Sequence, residues 1–445
     1  MTRSPPRPGR RWIVILALVC LIVFPTSALS GTPVHGAKAA SMGTAFVAVA
    51  DDPSAITHNP AGITLLDGTN LYNGLTVFLL SSSFKNPEAQ SESTQPQVFL
   101  PPTFYLTSDL GTDNLAFGLG VYSLYGIGGR KWSQTGLTRY VSTDTLIGTL
   151  HINPTVAWRV LPQVSVGLGL DVLYAVNRMV NMVDQSFFGA PDGKLRFTGD
   201  GFGVGYNLGI LLFPGKKFSF AFAYRSEIRV KQRGGLDLES IAPPLQPLFG
   251  GDSFSTGASI VTRFPHIFSW GMAFRPNPRW TFALDVEWVR WSSFNRLTLD
   301  LDQEVLAAGL SDLTSTLNWG DTVLVKVGAD YRWRDHVSFR GGYTYQTTPV
   351  PDHTLGPASP EAVFHYLSLG VGYTWRRWVF DGFYGLSLFH PRTVDNPVLS
   401  GTYKNIAHYF GLSIGYRFNA PQKNQESGTA HFRPVIHHRQ SSSLP

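Results

Sequence analysis

The sequence predicts an all-β fold: a transmembrane antiparallel β-barrel of about 14 strands with an N-terminal hatch, or plug, in its lumen. Three observations predict it. Segment after segment alternates with period two between large apolar residues and small or polar ones. The composition is aromatic and Gly-rich but poor in charge, with 45 Gly, 30 Phe, 17 Tyr, 11 Trp and 15% charged residues in 445. The links between alternating segments are by turns long and short, which places long loops at one end and tight turns at the other.

The chain opens with Arg3, Arg7, Arg10 and Arg11, then the apolar run WIVILALVCLIVF and the small residues Ala28 and Ser30. This reads as a secretory signal peptide over residues 1–30, because the run is shorter than the roughly 18 residues a membrane-spanning helix needs. The single cysteine, Cys20, lies within that run. An exported chain cut near Ser30 therefore has neither disulfides nor thiolate metal sites. Residues 31–69 follow. Their stretch DDPSAITHNPAGIT is broken by Pro53 and Pro60, while Ala55, Ile56, Ala61 and Ile63 seek burial. It reads as a compact plug of turns and short helical pieces.

Strands are predicted near 70–80, 98–108, 115–122, 147–160, 164–179, 202–213, 217–230, 259–275, 280–291, 321–333, 337–346, 364–375, 378–389 and 403–418. In 164–174, VSVGLGLDVLY, the residues Val164, Val166, Leu168, Leu170, Val172 and Tyr174 share one face, and Ser165, Gly167, Gly169 and Asp171 the other. A soluble sandwich would alternate in this way too. Strands of about ten residues, with Trp280, Trp288, Trp291, Trp333, Trp375 and Trp378 at their ends, fit a bilayer better. Lipid also explains closure, since an unpaired backbone group in hydrocarbon costs several kcal/mol and only a closed sheet leaves none. A barrel of this width is not filled by its own side chains, so the segment before the first strand has a lumen to occupy.

Residues 419–445 read as a polar, disordered tail. The net charge of +6 comes from the leader (+4) and this tail (+2), leaving 6 − 4 − 2 = 0 for residues 31–418. The basic balance therefore gives no case for nucleic acid.

The stretch GAKAASMGTAFVAVADDPSAITHNPAGIT (36–64), with Asn59, Pro60 and Ala61, resembles the hatch of the long-chain fatty acid transporter family of outer membranes, the FadL type. The blocks LDVEWVRWSSF (284–294), WGDTVLVKVGADYRW (319–333) and 339–375 resemble family blocks in the same order. The resemblance implies a 14-stranded barrel over 70–418, plugged by the 31–69 hatch. It also implies passive transport of hydrophobic compounds across the outer membrane of a Gram-negative cell, mostly long-chain fatty acids and in some members aromatic hydrocarbons. It implies no cofactor. The chain departs from the family in the tail beyond Phe418, and in having Gln346, Thr347 and Thr348 where members often carry an acid.

Strand alternation turns Arg159, Asp171, Arg225, Glu227, Arg275, Asp285, Glu287, Lys326, Asp330, Arg332, Arg340, Asp381 and Arg417 toward the lumen. Of these, Arg225 and Lys326 are expected near mid-height. Two readings stand for them: wall ion pairs, such as Lys326 with Glu287 on the adjacent strand, or partners for a ligand carboxylate. In the loop 236–249, Leu236, Leu238, Ile241, Leu245, Leu248 and Phe249 read as an outer hydrophobic groove, or else as a lid packed on itself. Residues 301–313 show apolar residues near helical spacing. GLSIG (411–415) matches a nucleophile-elbow pattern, but Ser413 falls mid-strand, so the chain reads as no enzyme. His431, His437 and His438 lack fixed geometry, and no metal site is expected. The expected partners are the bilayer and a hydrophobic small molecule, with the chain a monomer. A hydrocarbon channel of the same fold, a general diffusion porin and an outer-membrane lipid hydrolase are the alternatives.

Overall fold

The computed structural model describes residues 35–418, so the expected signal peptide, residues 31–34 and the expected tail lie outside the described residues. The strands are β1 (Thr69–Lys85), β2 (Ser91–Ser93), β3 (Val98–Phe99), β4 (Pro102–Ser108), β5 (Leu115–Tyr122), β6 (Ile127–Lys131), β7 (Asp144–Leu161) and β8 (Val164–Val183). Next come β9 (Gly193–Leu212), β10 (Phe218–Arg225), β11 (Ile228–Glu239), β12 (Phe254–Phe264), β13 (Ile267–Asn277), β14 (Trp280–Val289), β15 (Arg296–Leu301) and β16 (Leu313–Thr316). The chain ends with β17 (Thr322–Arg334), β18 (Val337–Gln346), β19 (Phe364–Trp375), β20 (Trp378–Phe389), β21 (Arg392–Val394) and β22 (Gly401–Arg417).

Every pairing is antiparallel, and the last strand closes on the first from Asn70 opposite Arg417 to Lys85 opposite Thr402. The wall is a closed barrel of 14 strands, with β10–β11 and β12–β13 each counting as one. On its outer face stand exposed apolar residues such as Leu168, Leu170, Phe202, Val204, Leu367, Leu369 and Leu412. A band of this kind is stable only against hydrocarbon. Trp280 lies against Tyr331 and Trp378 against Tyr416 at the short-turn end. Trp291, by contrast, turns inward from its strand end and meets Trp319 edge-on.

Several details differ from the sequence reading, each for a physical reason. The strands around the long loops run on: β9 begins at Gly193 rather than near 202, because KLRFTGDG also alternates. The predicted strand 259–275 is cut at Pro265, which has no N–H to give the ladder. The predicted strand 217–230 breaks at Ser226, whose N–H and Oγ both bond to the Tyr206 backbone instead. That break exchanges the strand's two faces: β10 buries Ser219, Ala221, Ala223 and Arg225, whereas β11 buries Ile228, Val230 and Gln232 and exposes Arg229 and Lys231. Glu227, expected in the lumen, pairs instead with the exposed Arg263. Residues 301–313 form no α-helix, only a 3-10 turn at Leu306–Ala308. They join β15 to β16 through one short turn, because β15 pairs with β16 and with β12.

Before β1, the chain forms helical pieces at Ala37–Ser41 and Ala55–His58 and a 3-10 turn at Pro60–Leu65. These lie against inward-facing side chains of strands all round the wall.

Candidate functional site

Asn59, in extended conformation, starts the 3-10 turn: its Oδ1 accepts from Ala61 N at 3.1 Å, and Pro60 occupies the first turn, where no N–H is needed. Its Nδ2 donates to Val47 O (3.0 Å) within the segment and to Ile210 O (3.1 Å) of the wall. The wall meets it with glycines. A Cβ on Gly209 would lie 2.0 Å from Asn59 Oδ1, and one on Gly167 2.4 Å from Ala61 N. Asn-Pro-Ala is thus the point where the segment both turns and touches backbone on β8 and β9.

The rest of the segment is held by short polar side chains. Asp285 Oδ2 accepts from Phe46 N (2.6 Å) and Val47 N (2.9 Å), and Ser219 Oγ donates to Ala48 O at 2.8 Å. Ser368 Oγ donates to Ser41 O and accepts from Gly43 N, both at 3.0 Å. Tyr366 OH donates to Ala40 O, and Ser413, the centre of GLSIG, accepts from Ala37 N. Gly43, at φ 62, brings its backbone where a Cβ would stand 2.5 Å from Tyr343 N. The bonds made by the hydroxyl groups contribute about 1 kcal/mol net each and those to the Asp285 carboxylate more, so seating is spread round the wall with its largest share at Asp285.

Arg225 (β10), Lys326 (β17) and Glu287 (β14) come together at one cavity between this segment and the wall, beside His35, His58 and Ile267. All three are buried, at 5%, 5% and 7% exposure, so their charges must be met by protein. They are: Lys326 Nζ lies 3.0 Å from Glu287 Oε2, and Arg225 pairs with Asp171 and donates to Thr57 O at 3.1 Å. Ser269 Oγ donates to Glu287 as well. The free space there is about 50 Å³, room for a few waters and not for an alkyl chain. A further charged knot, Arg340 between Asp330 (2.8 Å) and Asp381 (2.6 Å), sits nearer the short turns, with Tyr72 OH on Asp381.

Sequence reasoning missed His35, His58, His151 and Asn207. His151 Nδ1 lies 2.7 Å from Asp171 Oδ1, and Asn207 Nδ2 donates to Ile56 O. The alternation of 147–160 and 202–213 already turns both inward. In the N-terminal segment, burial pushes the imidazoles of His35 and His58 down to about 3, and pushes the Asp52 carboxyl up to about 6.

The expected outer groove is not exposed. Leu236, Ile241, Leu245 and Phe249 are buried, Leu238 is half-buried against them, and Leu248 alone of the six stands out at 42%. The loop bends over because Leu297, Leu299 and Leu301 of β15, which pairs with β12 beside it, give it apolar surface to cover.

Comparisons with known proteins agree with this fold. The profile of a family described as Outer membrane protein transport protein (OMPP1/FadL/TodX) matches residues 23–418. A long-chain fatty acid transport protein of Salmonella typhi is 23% identical over 437 residues, covering 91% of this chain and 98% of the relative. Among solved structures, a Pseudomonas aeruginosa FadL homologue superposes with a TM-score of 0.74 at 20% identity, covering 89% of this chain and 97% of its own. The P. putida toluene transporter TodX does so with a TM-score of 0.71 at 15% identity, covering 87% and 99%.

Proposed function

The chain belongs to the outer membrane protein transport family (OMPP1/FadL/TodX), and from that premise we propose that it carries long-chain fatty acids passively across the outer membrane, gated by residues 31–69. As a member of that family it is an outer-membrane transporter of hydrophobic compounds, a channel and not an enzyme.

The observation that carries the fatty-acid reading is the pair of cations, Arg225 and Lys326, on one partly apolar cavity between the N-terminal segment and the wall. A carboxylate drawn into an apolar passage needs a charged or hydrogen-bonding partner. The cavity as it stands is too small for an alkyl chain, so the segment must yield for a ligand to pass. A general porin fits poorly with a lumen occupied in this way. A second reading, a channel for aromatic or aliphatic hydrocarbons, is favoured by a separate observation: both cations already have carboxylate partners in Asp171 and Glu287. A neutral ligand would leave those pairs undisturbed. On either reading the chain works as a monomer in the bilayer, with its long loops outside and its short turns in the periplasm.

The test is uptake of radiolabelled palmitate and of toluene by cells lacking their own transporters of this kind and expressing this chain. Palmitate uptake above the vector control supports the fatty-acid reading. Uptake of toluene alone replaces it with the hydrocarbon reading, and uptake of neither ends both.

A further inference from the structure

The loop between β18 and β19 does not lie over the barrel mouth as a loose cover. Its residues 355–362 are buried, with Leu355 at 0% and Ala358 at 1% exposure, so the segment is a strap let into the mouth at the long-loop end. Its backbone is well held. Trp132 Nε1 donates to Pro357 O (3.0 Å), Asn405 Nδ2 to Pro360 O (2.6 Å), and Arg392 Nη1 to Glu361 O (2.8 Å) and Val350 O (2.9 Å).

The Glu361 side chain is held differently. It points at Arg130, whose Nη2 is 3.7 Å from Glu361 Oε1, beyond hydrogen-bond reach, and Oε1 has no hydrogen-bond partner although both side chains are almost wholly buried. Burial pushes the Glu361 carboxyl above the usual carboxylate range. Arg130 itself is fixed by β6, opposite Thr145 of β7, and by its Nε on Ser82 Oγ (3.0 Å) of β1. The guanidinium is thus held from its own side of the mouth, while one oxygen of the anion facing it lacks a hydrogen-bond partner, and the bonds that seat the strap run to its backbone. A desolvated pair at this distance recovers little of its desolvation cost. A carboxylate free to orient itself would gain the two-pronged contact that Glu361 does not make. Within electrostatic reach of Arg130 lies Tyr409, stacked on Phe78 at 4.9 Å in a buried apolar cluster with Phe99, Phe364 and Phe383.

We propose that Arg130 is a carboxylate-binding site in the barrel mouth, occupied here by the chain's own Glu361, which the head group of a long-chain carboxylate displaces. This rests on the fatty-acid reading above. It adds a place, distinct from Arg225 and Lys326, where the ligand's charge is first met inside the mouth. It also makes Glu361 an internal competitor.

The experiment measures equilibrium binding of palmitate and of hexadecanol, a neutral chain of the same length, to the purified full chain in detergent. Glu361→Gln removes the competing charge and should tighten palmitate about tenfold while leaving hexadecanol within about twofold. Adding Arg130→Gln to it should bring palmitate back to the wild-type affinity or weaker. Glu361→Asp, which keeps the charge but withdraws it by one methylene, serves as the gentler variant should Glu361→Gln not assemble, and should also tighten palmitate. Unchanged palmitate affinity in an assembled, heat-modifiable Glu361 variant overturns the proposal, as does equal tightening of both probes, which would mean only that the strap had loosened. A wild-type chain that binds neither probe overturns the transport reading itself. Binding of both with a flat response at Glu361 overturns this inference alone.

Discussion

Asp285 offers the sharpest test of the idea that the N-terminal segment gates the lumen. One carboxylate oxygen takes two backbone N–H groups, those of Phe46 and Val47, at 2.6 and 2.9 Å, and the side chain is 1% exposed. Hydrogen bonds to a charged group contribute about 1.5–3 kcal/mol each, so the pair is worth roughly 3–6 kcal/mol before the cost of burying the carboxylate is counted against it. Oδ1 has no hydrogen-bond partner, so that cost is not small, and a net of about 3 kcal/mol is a fair expectation. Asp285→Ala removes both acceptors and leaves two orphaned N–H groups. The undocked segment should then be about a hundredfold more populated. Asp285→Asn keeps the shape and a neutral acceptor and should fall between. In planar bilayers the Ala variant should show more frequent and larger openings than wild type, in the order Ala, Asn, wild type. The wall should survive, because Asp285 lies within the ladder of β14 through its backbone alone. Identical conductance in all three, with heat-modifiability intact, would refute the reasoning.

Other expectations follow from neighbouring features. Gly209→Val places side-chain atoms where Asn59 Oδ1 now lies, and should raise protease access to residues 51–64 without changing barrel melting. Replacing both Arg225 and Lys326 by Met should weaken palmitate binding by about 1.5–3 kcal/mol for each charge-assisted bond lost and leave toluene nearly untouched; equal loss for both would remove the carboxylate role. Acid should loosen the segment. His35 and His58 are held near 3 against an ordinary 6.5, so their contribution is whole above pH 6.5 and is lost as pH falls toward 3. Each costs about 1.4 kcal/mol per unit below 6.5, and Asp52, raised to about 6, gives part of this back as it protonates. Conductance that is flat from pH 7.5 to 5 would contradict this. A cysteine at Leu248 should label on intact cells and one at Gly215 should not, and the reverse result would invert the topology.

Much of the wall was legible because lipid enforces a simple rule on every strand. Leu168 and Leu170 out, Ser165 and Asp171 in, is the same statement in the sequence and in the barrel. The rule failed where one residue leaves the ladder. Ser226 trades its place for the Tyr206 backbone, and from there odd and even positions exchange faces, which no window centred on either half reveals. The meeting of Arg225, Lys326 and Glu287 was half visible. Alternation turned them inward, and the pairing of β14 with β17 made Lys326 with Glu287 a natural couple, but the distance from Lys326 to Arg225 depends on barrel curvature and not on local pattern. The loops were least legible. Leu236 and Ile241 could cover something or expose themselves, and their partners Leu297 and Leu299 are some sixty residues away.

The seam between β1 and β22 carries a consequence for biogenesis. It joins strands whose paired residues lie more than three hundred positions apart, so the ring stays open until its final strand is in place, and such long-range closure is intrinsically slow. The N-terminal segment precedes the first strand of that seam, yet its earliest described helix leans on the last: Ala37 N donates to Ser413 Oγ on β22. The part synthesised first therefore cannot finish seating until the part synthesised last has arrived. A nascent barrel waiting for β22 has its N-terminal segment only partly gripped, and sealing the wall and seating that segment become one closing event.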